Sequence, residues 1–455
     1  MTQSQSDHNP SLPTVRIGQI QHHEDQQVTL QGWLHNKRGS GKVQFLHVRD
    51  GSGFIQCVMG REDVPEEVFA AARKLTQESS IQITGVVHKE PRAPYCGYEI
   101  HAKDVALVNP STDYPITKKA HGDAFLMDHR HLWLRSRKQH TILRVRATIV
   151  KAIRDYLDEN GFLLVDSPIF TPNACEGTST LFSTKWFDES EAFLSQSGQL
   201  YQEATAMAFG KTYCFGPTFR AEKSKTRRHL NEFWMVEPEV AFMDLHEDMD
   251  LMEDFLCEVV KRVLDKHAEE LETVLERDLE PLRKVQKPFP RIHYDRAVEE
   301  IKAIQEEMED PDVKAGLEIE WGMDFGSPHE TELTKRYDRP IMVYGFPSAI
   351  KAFYMKKWDG RPEVSKSCDV LAPEGYGEII GGGEREDNLD VLLEGIQAHQ
   401  LDEEAFRWYT DLRRYGSVPH AGFGLGLERT VAWMCGLHHL RETIPFARTL
   451  DRIWP

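Results

Sequence analysis

A very polar loop between two β-type runs dominates residues 214–242. Its charged side chains are Arg220, Glu222, Lys223, Lys225, Arg227, Arg228 and His229. Guanidinium groups bind phosphate oxygens in pairs, and lysine adds point charges, so this many donors on one loop suit a polyanion. The loop therefore predicts a nucleotide triphosphate site. A solvated charged hairpin is the alternative for the loop taken alone.

Residues 368–386 combine two carboxylates, a triple glycine and an arginine. Asp369 and Glu378 lie on two runs that are predicted to be neighbouring strands, and Arg385 follows the glycines. Carboxylates on adjacent strands can hold Mg²⁺ beside phosphates, because this ion prefers oxygen ligands. The segment predicts a metal site, with a structural hairpin as the alternative.

A third segment, GFGLGLERT, places Arg429 where a glycine-rich strand becomes a helix. Alternating glycines allow a strand to approach a ligand closely. The run is not a dinucleotide-binding fingerprint, because no βαβ unit surrounds it.

The sequence before these segments predicts a small β-barrel. Residues 14–110 hold five runs rich in β-branched and aromatic residues, with one helical patch, VPEEVFAAARKL, between the third and the fourth. This order is typical of an OB-type barrel, which binds single-stranded nucleic acid on one face. We predict a flexible tail over 1–13, the barrel domain over 14–110 and a linker over 111–137.

Residues 138–455 are predicted to form the second domain. A helix over 138–160 has apolar residues three and four apart, stops at Gly161 and precedes a strand interrupted by Pro168. Residues 246–285 are acidic and helical, and we expect them to be a solvated scaffold insert.

Composition excludes several classes of protein. The 455 residues include 55 Lys+Arg and 73 Asp+Glu, a net charge of −18, with much of the acid in 244–312. A basic surface elsewhere remains compatible with a nucleic acid partner. The sequence has no apolar run of membrane length, no secretory signal and no zinc-type spacing among its seven cysteines. We therefore expect a cytoplasmic protein with reduced thiols and no membrane partner.

Three parts of the chain occur in the order of the class II aminoacyl-tRNA synthetase motifs. The helix and strand ending at Pro168 resemble motif 1, FRAE…RRHLNEF resembles motif 2, and GFGLGLER resembles motif 3. With the barrel, the chain resembles class IIb, the aspartyl, asparaginyl and lysyl enzymes. The resemblance implies an α+β fold, in which a five-stranded OB-type barrel precedes an antiparallel sheet flanked by helices. It also implies ATP-dependent joining of an amino acid to tRNA through an aminoacyl-adenylate, releasing AMP and pyrophosphate.

The resemblance assigns roles in ATP binding. Arg220 is expected to bridge the amino acid carboxylate and the α-phosphate, and Glu222 to contact the adenine region. Phe233 and Arg429 are expected to stack on the two faces of the adenine, with Arg429 reaching the γ-phosphate.

The remaining ATP positions concern phosphate and metal. Arg228 and His229 match the residues that meet the terminal phosphates, and Asp369 and Glu378 match those that bind Mg²⁺. No protein nucleophile is needed, so catalysis is positioning and charge stabilisation. The residues expected to carry it are Arg220, His229 and Arg429.

Within the branch, the runs SGQLYQEA, KAFYM and DVLAPEGYGEIIGGGERE resemble those of the asparaginyl enzymes. Besides Arg220, the implied amino acid pocket uses Glu176 and Gln199 for the α-amino group and Arg385 for the side-chain oxygen. The aspartyl enzymes typically carry lysine where this chain has Gln202. A neutral or acidic acceptor suits an amide, so Gln202 and Glu203 are expected to favour asparagine, with Glu203 reading the amide nitrogen.

The implied macromolecular partners are tRNA-Asn and a second copy of the chain. Phe45 matches the aromatic residue that stacks on the central anticodon base, and Gln56 can bond a base edge. The neighbouring strand adds Asn36, Lys37 and Arg38. Phe45 could equally be a core residue of the barrel. The motif 1 helix and strand imply a symmetric homodimer.

Three other functions are compatible with parts of the sequence. An aspartyl enzyme, charging one or both tRNAs, would share the fold, but Gln202 in place of lysine argues against it. A synthetase-like asparagine synthetase would lack the barrel. An RNA-binding regulator is expected to have lost ATP-site residues, whereas this chain retains them.

Overall fold

The computed structural model describes residues 12–172, 181–187 and 190–455. These residues divide into two compact units between Leu126 and Met127. No helix in the described ranges is long and apolar enough to cross a membrane.

The N-terminal unit is a closed five-stranded barrel with one helix. Its elements are β1 (Thr14–Val15), β2 (Gln27–Gly39), β3 (Val43–Arg49), β4 (Phe54–Gly60), α1 (Glu66–Lys74), β5 (Ser80–Lys89) and β6 (Tyr98–Asn109), with a 3₁₀ turn over Ile17–His23. The order β2-β3-β4-β6-β5 closes because β2 also pairs with β5, while β1 adds to β2 in parallel. Buried Leu30, Leu34 and Leu46 belong to the barrel core. The predicted OB-type barrel is confirmed, including the helix between its third and fourth strands.

The C-terminal unit is built on one large sheet. The strands are β7 (Leu163–Leu164), β8 (Phe170–Thr171), β9 (Ser183–Trp186), β10 (Ser190–Leu194), β11 (Lys211–Phe219), β12 (Glu232–Ala241), β13 (Arg291–His293), β14 (Ile341–Tyr344), β15 (Lys357–Trp358), β16 (Arg361–Ser365), β17 (Ser367–Ala372), β18 (Gly377–Glu384) and β19 (His420–Gly426). Eight of them pair in the order β13-β14-β17-β18-β19-β12-β11-β7. The centre is antiparallel as predicted, but the two edge pairs, β13–β14 and β11–β7, are parallel. The sheet is therefore mixed.

Helices flank this sheet. They are α2 (Asp123–Asp128), α3 (Arg130–Trp133), α4 (Arg137–Glu159), α5 (Gln199–Phe209), α6 (Leu245–Leu275), α7 (Glu280–Arg283), α8 (Tyr294–Glu307), α9 (Pro311–Gly316), α10 (Ser327–Thr334), α11 (Leu389–Ala398), α12 (Arg407–Arg414) and α13 (Leu427–Cys435). The backbone amide of Gln139 donates to the Ser136 hydroxyl, which caps α4, so the helix begins one residue before its predicted start.

Helix α6 is not the solvated insert that its acidic sequence suggested. Asp244 and Glu247 form a capping box that starts it, and a stripe of apolar residues then recurs at helical spacing. Met252, Phe255 and Val259 on this stripe are fully buried, and the helix packs against α4, β18 and β19. The acidic residues occupy mainly the other face of the helix. The prediction of a solvated insert was therefore wrong, because it relied on net charge and not on the spacing of the apolar residues.

The end of the segment predicted to be a linker packs into the C-terminal unit. Arg130 is almost fully buried and donates to the carbonyl oxygens of Glu442, Ile444 and Pro445 at 2.9–3.2 Å. A guanidinium that satisfies three buried carbonyls belongs to a fixed structure rather than to a free connection.

Candidate active site

A single cavity in the C-terminal unit is lined by all the side chains predicted to contact ATP. They are Arg220, Glu222, Arg228, His229, Phe233, Glu378 and Arg429. The β11–β12 hairpin brings the first five together, because its in-register pairing, Thr218 opposite Phe233, leaves the polar loop over one end of the sheet. Strand β18 and the start of α13 supply the other two.

Arg220 lies where this cavity adjoins a second one. Together with Met235, Glu378 and Gly424 it lines both. Its Nε is buried and has no hydrogen-bond partner among the described residues, and its guanidinium carbon lies 5.4 Å from the centre of the Phe233 ring. A buried, unpartnered donor is costly unless a ligand satisfies it, so Arg220 is available to an anion that spans the two cavities.

Arg429 is oriented by Glu378. Its Nη1 donates to the Glu378 carbonyl oxygen at 2.9 Å and to Oε2 of the same residue at 3.0 Å. Burial acts to raise the pKa of Glu378, but Arg429 and Lys351 outweigh it and hold that pKa below its ordinary value. The carboxylate is therefore ionised beside a cation at neutral pH.

Glu222 and His229 contact each other across the same cavity. His229 Nε2 lies 3.0 Å from Glu222 Oε2, and this hydrogen bond is the main reason that the pKa of Glu222 is lowered. The pair places an acceptor and an imidazole on the cavity wall.

Asp369 and Glu378 lie on the adjacent strands β17 and β18, as predicted. A Cβ atom on Gly381 would lie 2.7 Å from Glu378 Oε1 and 3.5 Å from Asp369 Oδ1, so the two carboxylates converge on this glycine. The described residues contain no group of three or more potential metal ligands. Two carboxylates still fit Mg²⁺, which usually completes its six oxygen ligands with phosphate and water.

Lys351 lies beside Asp369 in the second, adjoining cavity, although the sequence did not single it out. Its Nζ donates to both oxygens of Asp369 at 3.0 and 2.8 Å. Burial raises the pKa of Asp369 to about 6, and Lys351 limits that rise. The signal was present, since Lys351 opens the KAFYM run, but sequence alone did not show which carboxylate it faces.

The second cavity contains Gln199 and Arg385, two of the residues predicted for the amino acid. Arg385 donates through Nε and Nη2 to the two oxygens of buried Glu239, each at 3.0 Å. Its Nη1 has only the Met355 sulfur, at 3.6 Å, as a neighbouring acceptor in the described chain. A thioether is a weak acceptor, so this nitrogen can donate to a ligand.

Gln202 and Glu203 do not line either cavity. Gln202 Nε2 donates to the Val165 carbonyl oxygen at 2.8 Å and to Ser167 Oγ at 3.1 Å. The predicted contact between Gln202 and the substrate is therefore not supported. On α5, the side chain points to the strand region beside the helix instead of toward Arg385.

Glu203 is the centre of a fully buried polar cluster. Its oxygens accept from Tyr409 at 2.7 and 2.8 Å, Arg413 at 2.6 Å and His420 at 2.9 Å. Gln199 Nε2 also donates to it, at 2.9 Å. With both oxygens occupied, Glu203 cannot read a substrate amide as predicted; it holds Gln199, which does line the cavity.

The pKa of Glu203 reflects this cluster. Burial acts to raise it, but Arg413 and His420 outweigh burial and hold the pKa below its ordinary value.

Of the remaining residues predicted for the amino acid pocket, Glu176 lies outside the described residues.

On the barrel, four of the five predicted anticodon residues share the outer face. Arg38 pairs with Phe45 across β2 and β3, its guanidinium carbon lies 5.0 Å from the ring centre, and its Nη2 donates to Gln56 Oε1 at 3.3 Å. Asn36 stands two residues from Arg38 on the same strand. Phe45 is partly exposed and lies outside the core cluster. The alternative that it is a core residue is therefore wrong.

Lys37 is the exception. Its ammonium group donates to the carbonyl oxygen of Arg73 at the end of α1. It is paired with core residue Leu46 in the β2–β3 register, which directs it away from the face that carries Phe45.

Comparison with known families agrees with this architecture. Residues 123–450 match the family model described as tRNA synthetases class II (D, K and N), and residues 28–108 match an OB-fold nucleic acid binding domain. The asparagine–tRNA ligase of Sorangium cellulosum is 59% identical over 445 residues, which cover 97% of this chain and 99% of that protein. The asparagine–tRNA ligase of Chloroflexus aurantiacus is 55% identical over 444 residues, covering 98% and 99%.

Two solved structures have the same fold. The Pyrococcus horikoshii asparaginyl-tRNA synthetase complexed with asparaginyl-adenylate superposes with a TM-score of 0.90 at 42% identity, covering 97% of this chain and 99% of that one. The Entamoeba histolytica enzyme, also with asparaginyl-adenylate, gives a TM-score of 0.86 at 32% identity, covering 98% and 100%.

Proposed function

The chain belongs to the asparagine–tRNA ligase family of class II aminoacyl-tRNA synthetases, and we propose that its two adjoining cavities make asparaginyl-adenylate from asparagine and ATP. The enzyme is an aminoacyl-tRNA ligase that attaches asparagine to tRNA-Asn for translation. The observation that carries the site assignment is Arg220, whose buried Nε lacks a partner among the described residues at the junction of the cavities.

Adenylate formation requires the asparagine carboxylate to attack the α-phosphorus as pyrophosphate leaves. A guanidinium at the junction can bond both anions at once and hold them in attack geometry. It also stabilises the charge that accumulates on the phosphoryl oxygens. We assign this role to Arg220.

The cationic side chains of the first cavity are assigned to binding the terminal phosphates of ATP. Arg228, His229 and Arg429 line it and supply donors to the leaving pyrophosphate. Phe233 offers a ring face on which adenine can stack, and Glu222 offers an acceptor for the adenine amino group. Asp369 and Glu378 would hold Mg²⁺, which when bound neutralises phosphate charge.

Selection of asparagine is assigned to the Arg385–Glu239 pair. Arg385 Nη1 donates to the side-chain oxygen that asparagine and aspartate share. Because the Glu239 carboxylate already balances the guanidinium, the pair offers no net positive charge to a substrate carboxylate. A neutral carboxamide is therefore preferred, and Gln199, held by Glu203, is assigned to the α-amino group.

The experiment that tests this function is amino-acid-dependent ATP–pyrophosphate exchange with Mg²⁺, run with asparagine and aspartate in parallel. Exchange with asparagine and not aspartate is expected. Exchange with aspartate would move the chain to the aspartyl branch. No exchange with either amino acid by folded protein, with and without tRNA, would refute the ligase assignment of the cavities.

The outer face of the barrel is proposed to bind the anticodon, with Phe45 stacking on a base. Replacing Phe45 with alanine should raise the KM for tRNA-Asn about ten- to a hundredfold, since stacking on an aromatic contributes about 1–3 kcal/mol per base. Asparagine-dependent pyrophosphate exchange should be unchanged, because adenylate formation does not use the anticodon. Leu107→Ala, at an exposed position of β6, is the control. An unchanged KM for tRNA would contradict the assignment.

The homodimer is proposed from the motif 1 region. Leu163, Leu164, Ile169 and Phe170 are 39–50% exposed, which leaves an apolar run on the surface after α4. Light scattering should give twice the chain mass of 52.4 kDa. Ile169→Glu should shift the protein toward the single-chain mass, whereas Val108→Glu on β6, also exposed, should not. A single-chain mass for the unmodified protein would contradict the proposal.

A cytoplasmic location, a tail over 1–13 and a barrel domain over 14–110 are further parts of the proposal. The six cysteines in the described residues are all free thiols, which suits a reducing compartment.

A further inference from the structure

Arg228 is held by three acceptors that lie far from it in the sequence. Its Nη1 donates to Glu330 Oε2 at 3.0 Å, and its Nη2 donates to Thr331 Oγ1 at 3.1 Å and to the carbonyl oxygen of Gly375. Glu330 and Thr331 belong to α10, which carries no residue assigned above to ATP or asparagine. Helix α10 therefore touches the ATP site through Arg228.

The contact between Glu330 and Arg228 is closely enclosed. The two side chains are 15% and 17% exposed. A Cβ atom on Gly377 would overlap the Glu330 carboxylate and lie 2.7 Å from Arg228 Nη1, so only glycine leaves room for the pair here. The site is consequently built around a fixed position of this guanidinium.

A free arginine loses rotational freedom when it is fixed on a ligand. Partners that fix it beforehand remove that cost from binding, and they aim its remaining N–H donors where phosphate arrives. The loop between β11 and β12 cannot do this alone, because in the described structure the acceptors of Arg228 come from α10 and from the turn after β17.

We propose that Glu330 is a positioning residue for ATP, acting through Arg228, and that it holds this guanidinium ready for the terminal phosphates of the nucleotide. The proposal rests on the assignment of the first cavity to ATP. Glu330 itself is not assigned a contact with substrate.

The test is the Glu330→Gln variant, which keeps the side-chain size and removes the charge. Burial raises the pKa of Glu330 to about 7, so the comparison is made above that pH, where the carboxylate is ionised. Its affinity for ATP with Mg²⁺ is measured by titration calorimetry, which does not depend on turnover, and its exchange kinetics are measured beside it. The Kd and the KM for ATP should both rise about tenfold, the effect expected of one charged hydrogen bond. The KM for asparagine should change less than twofold. Glu332→Gln is the matched control, because Glu332 lies on the same helix, is also 15% exposed and pairs with Lys335 at 2.6 Å.

A double-mutant cycle separates positioning from a general structural role. If Glu330 acts through Arg228, adding Glu330→Gln to Arg228→Ala leaves the Kd for ATP within twofold of the Arg228→Ala value. If the two substitutions raise the Kd independently, so that their fold-changes multiply in the double variant, the proposal is overturned. An unchanged Kd in a folded Glu330→Gln protein would also overturn it. If that variant does not fold, Thr331→Val removes another acceptor of Arg228 and should raise the Kd about threefold; no change there would also overturn the proposal.

The failure of this proposal and the failure of the proposed function are distinguishable. Normal asparagine-dependent exchange by the unmodified chain, with ATP affinity unaffected in Glu330→Gln, refutes only the role of Glu330. Absence of ATP binding by the unmodified chain refutes the assignment of the cavity, and with it the proposal.

Discussion

Arg220→Ala is expected to lower asparagine-dependent ATP–pyrophosphate exchange about a thousandfold, the upper range for removing one preorganised donor group. The guanidinium lies at the junction of both cavities, and its buried Nε has no partner among the described residues. The proposed role on the α-phosphate therefore uses a donor that no other described group occupies. The loss should fall mainly on kcat, because the charge it stabilises develops most fully in the transition state.

Arg220→Lys separates charge from geometry. An ammonium group keeps the positive charge but cannot bond a carboxylate and a phosphate as a planar fork, so about a hundredfold loss is expected. Arg414→Ala, a surface arginine paired with Asp411, should leave exchange unchanged. Exchange by Arg220→Ala within tenfold of the unmodified enzyme would remove Arg220 from the mechanism.

Glu203→Gln is expected to lower the free energy of unfolding of the C-terminal unit by about 3–5 kcal/mol, the usual effect of breaking a buried ion pair. The change would leave the Arg413 guanidinium, 0% exposed, without its carboxylate. Urea unfolding followed by fluorescence measures the loss. Because the anchor of Gln199 loses its charge and one of its two oxygens, the KM for asparagine should also rise more than the KM for ATP.

Tyr409→Phe is the graded control, since it removes the hydrogen bonds that the Tyr409 hydroxyl donates to Glu203 and accepts from Arg413 but leaves the ion pair intact. About 1 kcal/mol is expected for each hydrogen bond. Equal losses in the two variants would mean that the charge of Glu203 contributes nothing beyond its hydrogen bonds.

The pH dependence of this contribution has a definite sign. The folded-state pKa of Glu203 lies below the ordinary value of 4.5. Its contribution to stability is therefore complete at neutral pH and is lost only as the pH falls below 4.5 toward the folded-state pKa.

Motif order was sufficient to predict the fold class and the side chains that line one cavity. The residues of motif 2 stand on one hairpin, so strand pairing alone brings Arg220, Arg228 and Phe233 to the same end of the sheet. Asp369 and Glu378 follow the same rule, because they stand on consecutive antiparallel strands. The barrel was predictable for a similar reason, since its five strands and single helix follow each other in order.

Contacts between distant segments were decided only by the tertiary structure. Glu203 pairs with Arg413, 210 residues away, and Arg385 pairs with Glu239, 146 residues away. On helix α5, Gln199 lines the cavity while Gln202 turns to Val165, a difference set by helix rotation and the neighbouring strand. Residue type and local spacing determine which elements form and which faces they bury. Which acceptor a long polar side chain finds depends on how the elements pack, because burial makes every unmet donor costly and so selects partners across the whole unit.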